Sequence, residues 1–122
     1  SVVKKGKSGA EEIEAMMTRF RKNPPADLAG SRVSMLYDYA SLKGHSFIDN
    51  EDFSLHMPTT SNVLQYYAED HTKVSIRPSG TEPKIKFYIE VHVPKIRSVE
   101  DLHEAEAHAL KKVEAIKASL GI

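Results

Sequence analysis

Apolar residues recur along this 122-residue chain in two rhythms. Ile13, Met16, Met17 and Phe20 fall at i, i+3, i+4 and i+7, the stripe of an amphipathic helix. Ser8-Gly9-Ala10-Glu11 fits a capping box ahead of that stripe. Asn23-Pro24-Pro25 ends it, because proline cannot continue the hydrogen-bond ladder. The spacing predicts a first helix over 9–22, preceded by a loose, basic, aperiodic entry at 1–7.

Further on, the period shortens. Residues 32–40 (RVSMLYDYA) are rich in β-formers and predict a strand, and 62–68 (NVLQYYA) predict a second. Residues 73–77 (KVSIR) predict a third, with Val74 and Ile76 inward and Lys73, Ser75 and Arg77 outward. The clearest alternation runs over 84–93. Ile85, Phe87, Ile89, Val91 and Val93 share one face; Lys84, Lys86, Tyr88, Glu90 and His92 share the other, and Pro94 closes the run. Residues 41–61 follow neither period and are expected to form a long irregular connection, pinned by Phe47, Ile48 and Phe53. Ser98 caps a last helix that ends at Gly121 and buries Leu102, Ala105, Ala109, Val113, Ile116 and Leu120. The order α-β-β-β-β-α predicts an α+β domain, a four-stranded antiparallel sheet with helices on one face.

Charge narrows the range of functions. Lys plus Arg and Asp plus Glu both number 17, a formal net charge of zero. Nucleic-acid binding is therefore not expected, since such domains carry a basic excess. There is no cysteine, hence no disulfide framework and no thiolate metal site. No apolar run approaches the roughly 20 residues of a membrane span and no signal peptide opens the chain, so no membrane partner and a cytoplasmic location are expected. The length suits one domain. The first residue is Ser1 rather than Met, which suggests further sequence upstream.

Several patterns imitate chemistry. Gly6-Lys7-Ser8 lacks the first glycine of a P-loop and the strand before it. In His103-Glu104-Ala105-Glu106-Ala107-His108 the histidines are five apart, so they point in different directions around a helix. Asp49-Asn50-Glu51-Asp52 lacks the spaced ligands of a calcium loop. His45, His56 and His71 sit in expected loops without an evident partner. Tyr66, Tyr67 and Tyr88 fit sheet packing better than base stacking, given the charge balance. No metal site is expected in this chain.

The segment Arg77-Pro78-Ser79-Gly80-Thr81-Glu82-Pro83-Lys84 is different. Pro78 and Pro83 bias the residues before them to extended backbone. Gly80 permits positive φ, which would let successive N–H groups converge on an anion. Ser79 and Thr81 add hydroxyl donors, Arg77 a planar fork that fits phosphate, and Lys84 and Lys86 nearby charge. The same residues suit a plain hairpin turn whose hydroxyls bond their own backbone. On chemistry alone the two readings stand level.

A longer string resolves more. Ser75-Ile-Arg-Pro-Ser-Gly-Thr-Glu-Pro-Lys-Ile-Lys-Phe-Tyr-Ile-Glu-Val91 resembles the signature of the C-terminal domain of α-D-phosphohexomutases, the superfamily of phosphoglucomutase, phosphomannomutase and phosphoglucosamine mutase. Ser61-Asn-Val-Leu-Gln-Tyr-Tyr-Ala-Glu-Asp70 resembles the preceding segment of the phosphoglucomutase branch, and the match covers about 61–93. The resemblance implies a TATA-binding-protein-like fold. It implies a domain that holds the non-reacting phosphate while a phosphoserine elsewhere exchanges phosphoryl groups with a hexose phosphate through a bisphosphate intermediate. It assigns Arg77, Ser79, Gly80 and Thr81 as the substrate-phosphate clamp, with Lys86 where some phosphoglucomutases place a second basic ligand. It places no catalytic residue in this domain. Its partners would be the hexose 1- or 6-phosphate, the bisphosphate intermediate and the other domains of the mutase.

The departures are informative. The chain has no T-A-S-H-N-P serine loop, no D-G-D-G-D-R metal loop and no G-E-x-S-G-H sugar loop. The magnesium ion that the resemblance implies would be bound by another domain. The expectation is one C-terminal domain over 1–122, inactive by itself. The alternative is a stand-alone module that binds phosphorylated metabolites without turning them over.

Overall fold

In a computed structural model, the structure describes residues 2–3, 9–93 and 95–122. Ser8, the Gly6-Lys7-Ser8 string and Pro94 lie outside the described residues. In chain order the elements are β1 (Val2–Val3), α1 (Gly9–Lys22), β2 (Asp27–Leu28), β3 (Ser31–Asp38), β4 (Lys43–Ser46), β5 (Glu51–Ser54), β6 (Leu64–Ala68), β7 (Lys73–Pro78), β8 (Lys84–Glu90) and α2 (Val99–Leu120).

The class is α+β and the sheet is antiparallel, but it is wider than four strands. Seven strands follow the order β1-β8-β7-β6-β3-β4-β5, and β2 pairs with the start of β3. The four expected strands form its centre as β3, β6, β7 and β8. Two additions extend it. β1 joins one edge through Val2↔Ile85 and Val3↔Lys84. At the other edge the expected irregular connection contains a hairpin, β4 and β5, registered as Lys43↔Ser54 through Ser46↔Glu51. Its strands, KGHS and EDFS, carry almost no apolar alternation, because an edge hairpin has little to bury. Specific contacts define it instead. Ser46 Oγ accepts the Asp49 N–H at 3.1 Å, and Asn50 takes the left-handed conformation at φ 53°. Phe53 lies over Gly44 and meets the Tyr37 ring edge-on at 5.4 Å between centroids. Phe47 packs against the core margin, whereas Ile48 is exposed and pins nothing.

Strand alternation sets the two faces of the sheet. Leu64, Tyr66 and Ala68 of β6, Val74 and Ile76 of β7 and Ile85 of β8 are buried on one face. Ile13, Met17 and Phe20 of α1 and Ile116 and Leu120 of α2 complete the same cluster. Its apolar burial drives the fold, at roughly 1.5–3 kcal/mol for each large side chain fully removed from water. Tyr66 is wholly buried and donates to the Phe20 carbonyl at 2.5 Å, which resolves its polar end within the core.

Boundaries also shift. β8 stops at Glu90, so Val91 and Val93 leave the strand, and Val93 is exposed. Ser98 does cap α2, accepting the Asp101 N–H at 3.1 Å, and Gly121 ends it at φ 74°. Leu102, expected in the core, is 38% exposed because α2 buries mainly Ala105, Ile116 and Leu120. Lys112 in mid-helix forms an ion pair with Asp70 of the β6–β7 turn.

Candidate functional site

The signature segment occupies the end of the β7–β8 hairpin. Register pairs Arg77 with Lys86 and Pro78 with Ile85. Val74 and Ile76 point to the helices, so Arg77 and Lys86 point to the opposite, open face. Among the described residues neither side chain has an ion-pair or hydrogen-bond partner. Two cations directly opposite each other on neighbouring strands repel, an arrangement that detracts from stability unless an anion answers it. Ser75 and Tyr88 are the next cross-strand pair on that face, and Gln65 Nε2 donates to Ser75 Oγ at 3.2 Å.

The turn itself closes through the Ser79 N–H to the Lys84 carbonyl at 2.9 Å and the Lys84 N–H to the Glu82 carbonyl at 2.8 Å. Gly80 does not use the positive φ that the sequence permits; the described glycines that do are Gly30 and Gly121. The N–H groups of Thr81 and Glu82 point instead at Ser79 Oγ, at 3.4 and 3.3 Å. The hydroxyl-to-backbone turn is thus the conformation present here, and both bonds are long. Space around Gly80 is open, with no atom within 4 Å of where a Cβ would stand.

Ser79, Gly80, Thr81, Glu82 and Pro83 form one wall of a cleft of about 410 Å³, and Ala10 and Ile13 of α1 form the other. The structure thereby brings the five expected residues to one end of one hairpin, but in two groups. Ser79, Gly80 and Thr81 border the cleft, and Arg77 and Lys86 lie around the corner on the open face. Lys84, counted among the nearby cations, is engaged with Glu82 at 3.5 Å. Ala10 and Ile13 carried no signal in sequence, since they lie some seventy positions away and read as ordinary helix residues.

The other polar patterns resolve structurally. His45 belongs to β4 and shares a 2.6 Å hydrogen bond with Asp52 across the hairpin. His71 takes a left-handed backbone at φ 70°, with its ring near that of His92 at 5.9 Å. Tyr67 packs on the open face against Tyr37 at 4.8 Å, and burial pushes its phenol pKa up. Among the described residues no three His, Asp or Glu side chains come together as a metal ligand set. Nor, among them, is any helix long and apolar enough to cross a membrane.

Comparison with known proteins decides the family. The model for "Phosphoglucomutase/phosphomannomutase, C-terminal domain" matches residues 4–109. This chain belongs to that family. A phosphoglucomutase of Staphylococcus haemolyticus is 34% identical over 99 residues, which is 81% of this chain and 18% of that protein. A phosphoglucomutase of Staphylococcus aureus strain N315 is 36% identical over 94 residues, 77% of this chain and 17% of that protein. The chain therefore spans less than a fifth of the length of these curated relatives. No solved structure matches it.

Proposed function

We propose that this phosphoglucomutase/phosphomannomutase C-terminal domain, a single domain over 1–122, holds the phosphate of a sugar phosphate that is not reacting. In the whole enzyme, a phosphoserine outside this chain would move a phosphoryl group between the 1- and 6-positions of a hexose phosphate through a bisphosphate. The observation that carries this reading is the Arg77–Lys86 pair, two cations without a counter-charge among the described residues, beside a turn rich in small donors.

The work divides by chemistry. The Arg77 guanidinium grips two phosphate oxygens at once, and the Lys86 ammonium adds a point charge. A phosphate oxygen replaces Ser79 Oγ as acceptor for the Thr81 and Glu82 N–H groups, whose present bonds are long enough to yield readily. Ser79 and Thr81 hydroxyls are then free to donate outward. Gly80 keeps the loop slim enough for close approach. Such charged hydrogen bonds contribute about 1.5–3 kcal/mol each. After the cost of association about 4 kcal/mol remains, roughly millimolar affinity.

The chain alone would then bind without turnover. Magnesium, which the family resemblance implies for the whole enzyme, would be held by another domain of it. A cytoplasmic setting fits a sugar phosphate substrate. The test is an amide-shift titration of the ¹⁵N-labelled chain with inorganic phosphate. Saturable shifts at Gly80 and Thr81 in the millimolar range are expected, weakened at least about tenfold by Arg77→Ala. An Arg77→Ala chain that binds phosphate as the original does would overturn the assignment.

A further inference from the structure

The cleft beside the turn is larger than a phosphate needs. At about 410 Å³ it falls in the range of sites that take small organic molecules, about 300–1,000 Å³. Beyond Ser79, Gly80 and Thr81 it is lined by the apolar Ala10, Ile13 and Pro83, and by one acidic residue, Glu82.

Glu82 is out of place in a site built for phosphate. An ionised carboxylate only accepts hydrogen bonds, and the dianion of a phosphate monoester beside it has no donor to offer and repels it. The turn nevertheless holds the Glu82 backbone there and sets its carboxylate beside Lys84. Its N–H is turned to Ser79 Oγ at 3.3 Å, its carbonyl accepts from the Lys84 N–H at 2.8 Å, and its Oε2 lies 3.5 Å from Lys84 Nζ. Stability does not explain the arrangement. Glu82 is 64% exposed, and exposed ion pairs contribute at most about 1 kcal/mol. A carboxylate held beside an anion site is favourable when the ligand also brings donors, and the hydroxyls of a polyol are such donors.

We infer that Glu82 accepts a hydrogen bond from a hydroxyl of the molecule whose phosphate the turn holds, and so selects a phosphorylated sugar over phosphate itself. The C–H face of the ring packs against Ala10, Ile13 and Pro83, and Lys84 keeps the carboxylate in position. Glu82 is thus a specificity residue for the ligand. The inference rests on the phosphate-holding reading above.

The test runs two titrations in parallel on the ¹⁵N-labelled chain, one with inorganic phosphate and one with glucose 6-phosphate, read at the Gly80 and Thr81 amides. Both are repeated on Glu82→Ala, whose own spectrum reports whether it folds. The original chain binds glucose 6-phosphate about tenfold more tightly than phosphate, and Glu82→Ala loses most of that difference on the sugar phosphate side. An unchanged ratio overturns the inference and leaves the phosphate reading intact. A ratio that narrows only because phosphate binds better shows charge repulsion alone, and also overturns it. No response to either ligand overturns both readings.

Discussion

Removing the charge of Asp70 isolates what holds α2 to the sheet. Asp70 lies in the β6–β7 turn, where its N–H donates to Ser31 Oγ and its Oδ1 accepts the Thr72 N–H, both at 3.1 Å. Its other oxygen accepts from Lys112 Nζ. Lys112 is 14% exposed and Asp70 32% exposed, so the pair sits between surface and interior. Exposed pairs contribute about 0–1 kcal/mol, and breaking a fully buried one costs about 3–5 kcal/mol. Asp70→Asn keeps an acceptor for the Thr72 N–H but strands the Lys112 ammonium. Solvent access to Asp70 lowers the loss to about 2 kcal/mol, read as a fall in Tm of about 8 °C for a domain of this size. The pH dependence has a definite sign. Burial disfavours the charged form of Asp70, but the Lys112 hydrogen bond and the Thr72 amide outweigh it and hold the carboxyl well below the usual carboxylate range. Its contribution is therefore complete above the unfolded-state pKa near 4 and is lost as the pH falls from there toward the lower folded value. Urea titrations of both chains from pH 7 downward should show a gap that is constant to about pH 4 and narrows below it. Equal stability at pH 7, or a gap undiminished at about pH 2.5, would refute the reasoning.

Two other substitutions probe the scaffold. Tyr66→Phe removes the donor to the Phe20 carbonyl inside the core and should cost about 1–2 kcal/mol by urea denaturation; an unchanged midpoint would mean that bond adds nothing. Gly44→Ala places a Cβ 2.2 Å from the Phe53 ring, so Phe53 must leave its contact with Tyr37. A loss of about 1–3 kcal/mol with a changed tyrosine near-ultraviolet signal is expected, and retention of both would show that the hairpin accommodates the methyl.

Much of the candidate site was legible because its residues are contiguous. The alternation in Lys73–Arg77 and Lys84–Glu90 places both strands, and proline and glycine between them mark the turn. The conformation of that turn was not legible. Gly80 allows positive φ without requiring it, and Ser79 Oγ competes for the same N–H groups that an anion would take. Chain order alone equally did not show the division of the five residues between cleft and open face, because it follows from the pairing Arg77↔Lys86 and from the approach of α1.

Features that depend on near neighbours were already written in the order of residues. These are both helices with the cap at Ser98 and the stop at Gly121, the four central strands with the inward Val74, Ile76 and Ile85, and the family signature over 75–91. Local backbone preference and apolar periodicity act within a few residues, so they can be read along the chain. The remaining features came from packing. The polar β4–β5 hairpin buries too little to show a period and is defined by pairing with β3. Leu102 became exposed through the placement of α2, not through its position in the helical stripe. Asp70 found Lys112, and Glu82 came to line one cleft with Ala10 and Ile13, only once the sheet register and helix docking brought distant segments together. Such contacts carry no sequence pattern, because their geometry exists only after the core has packed.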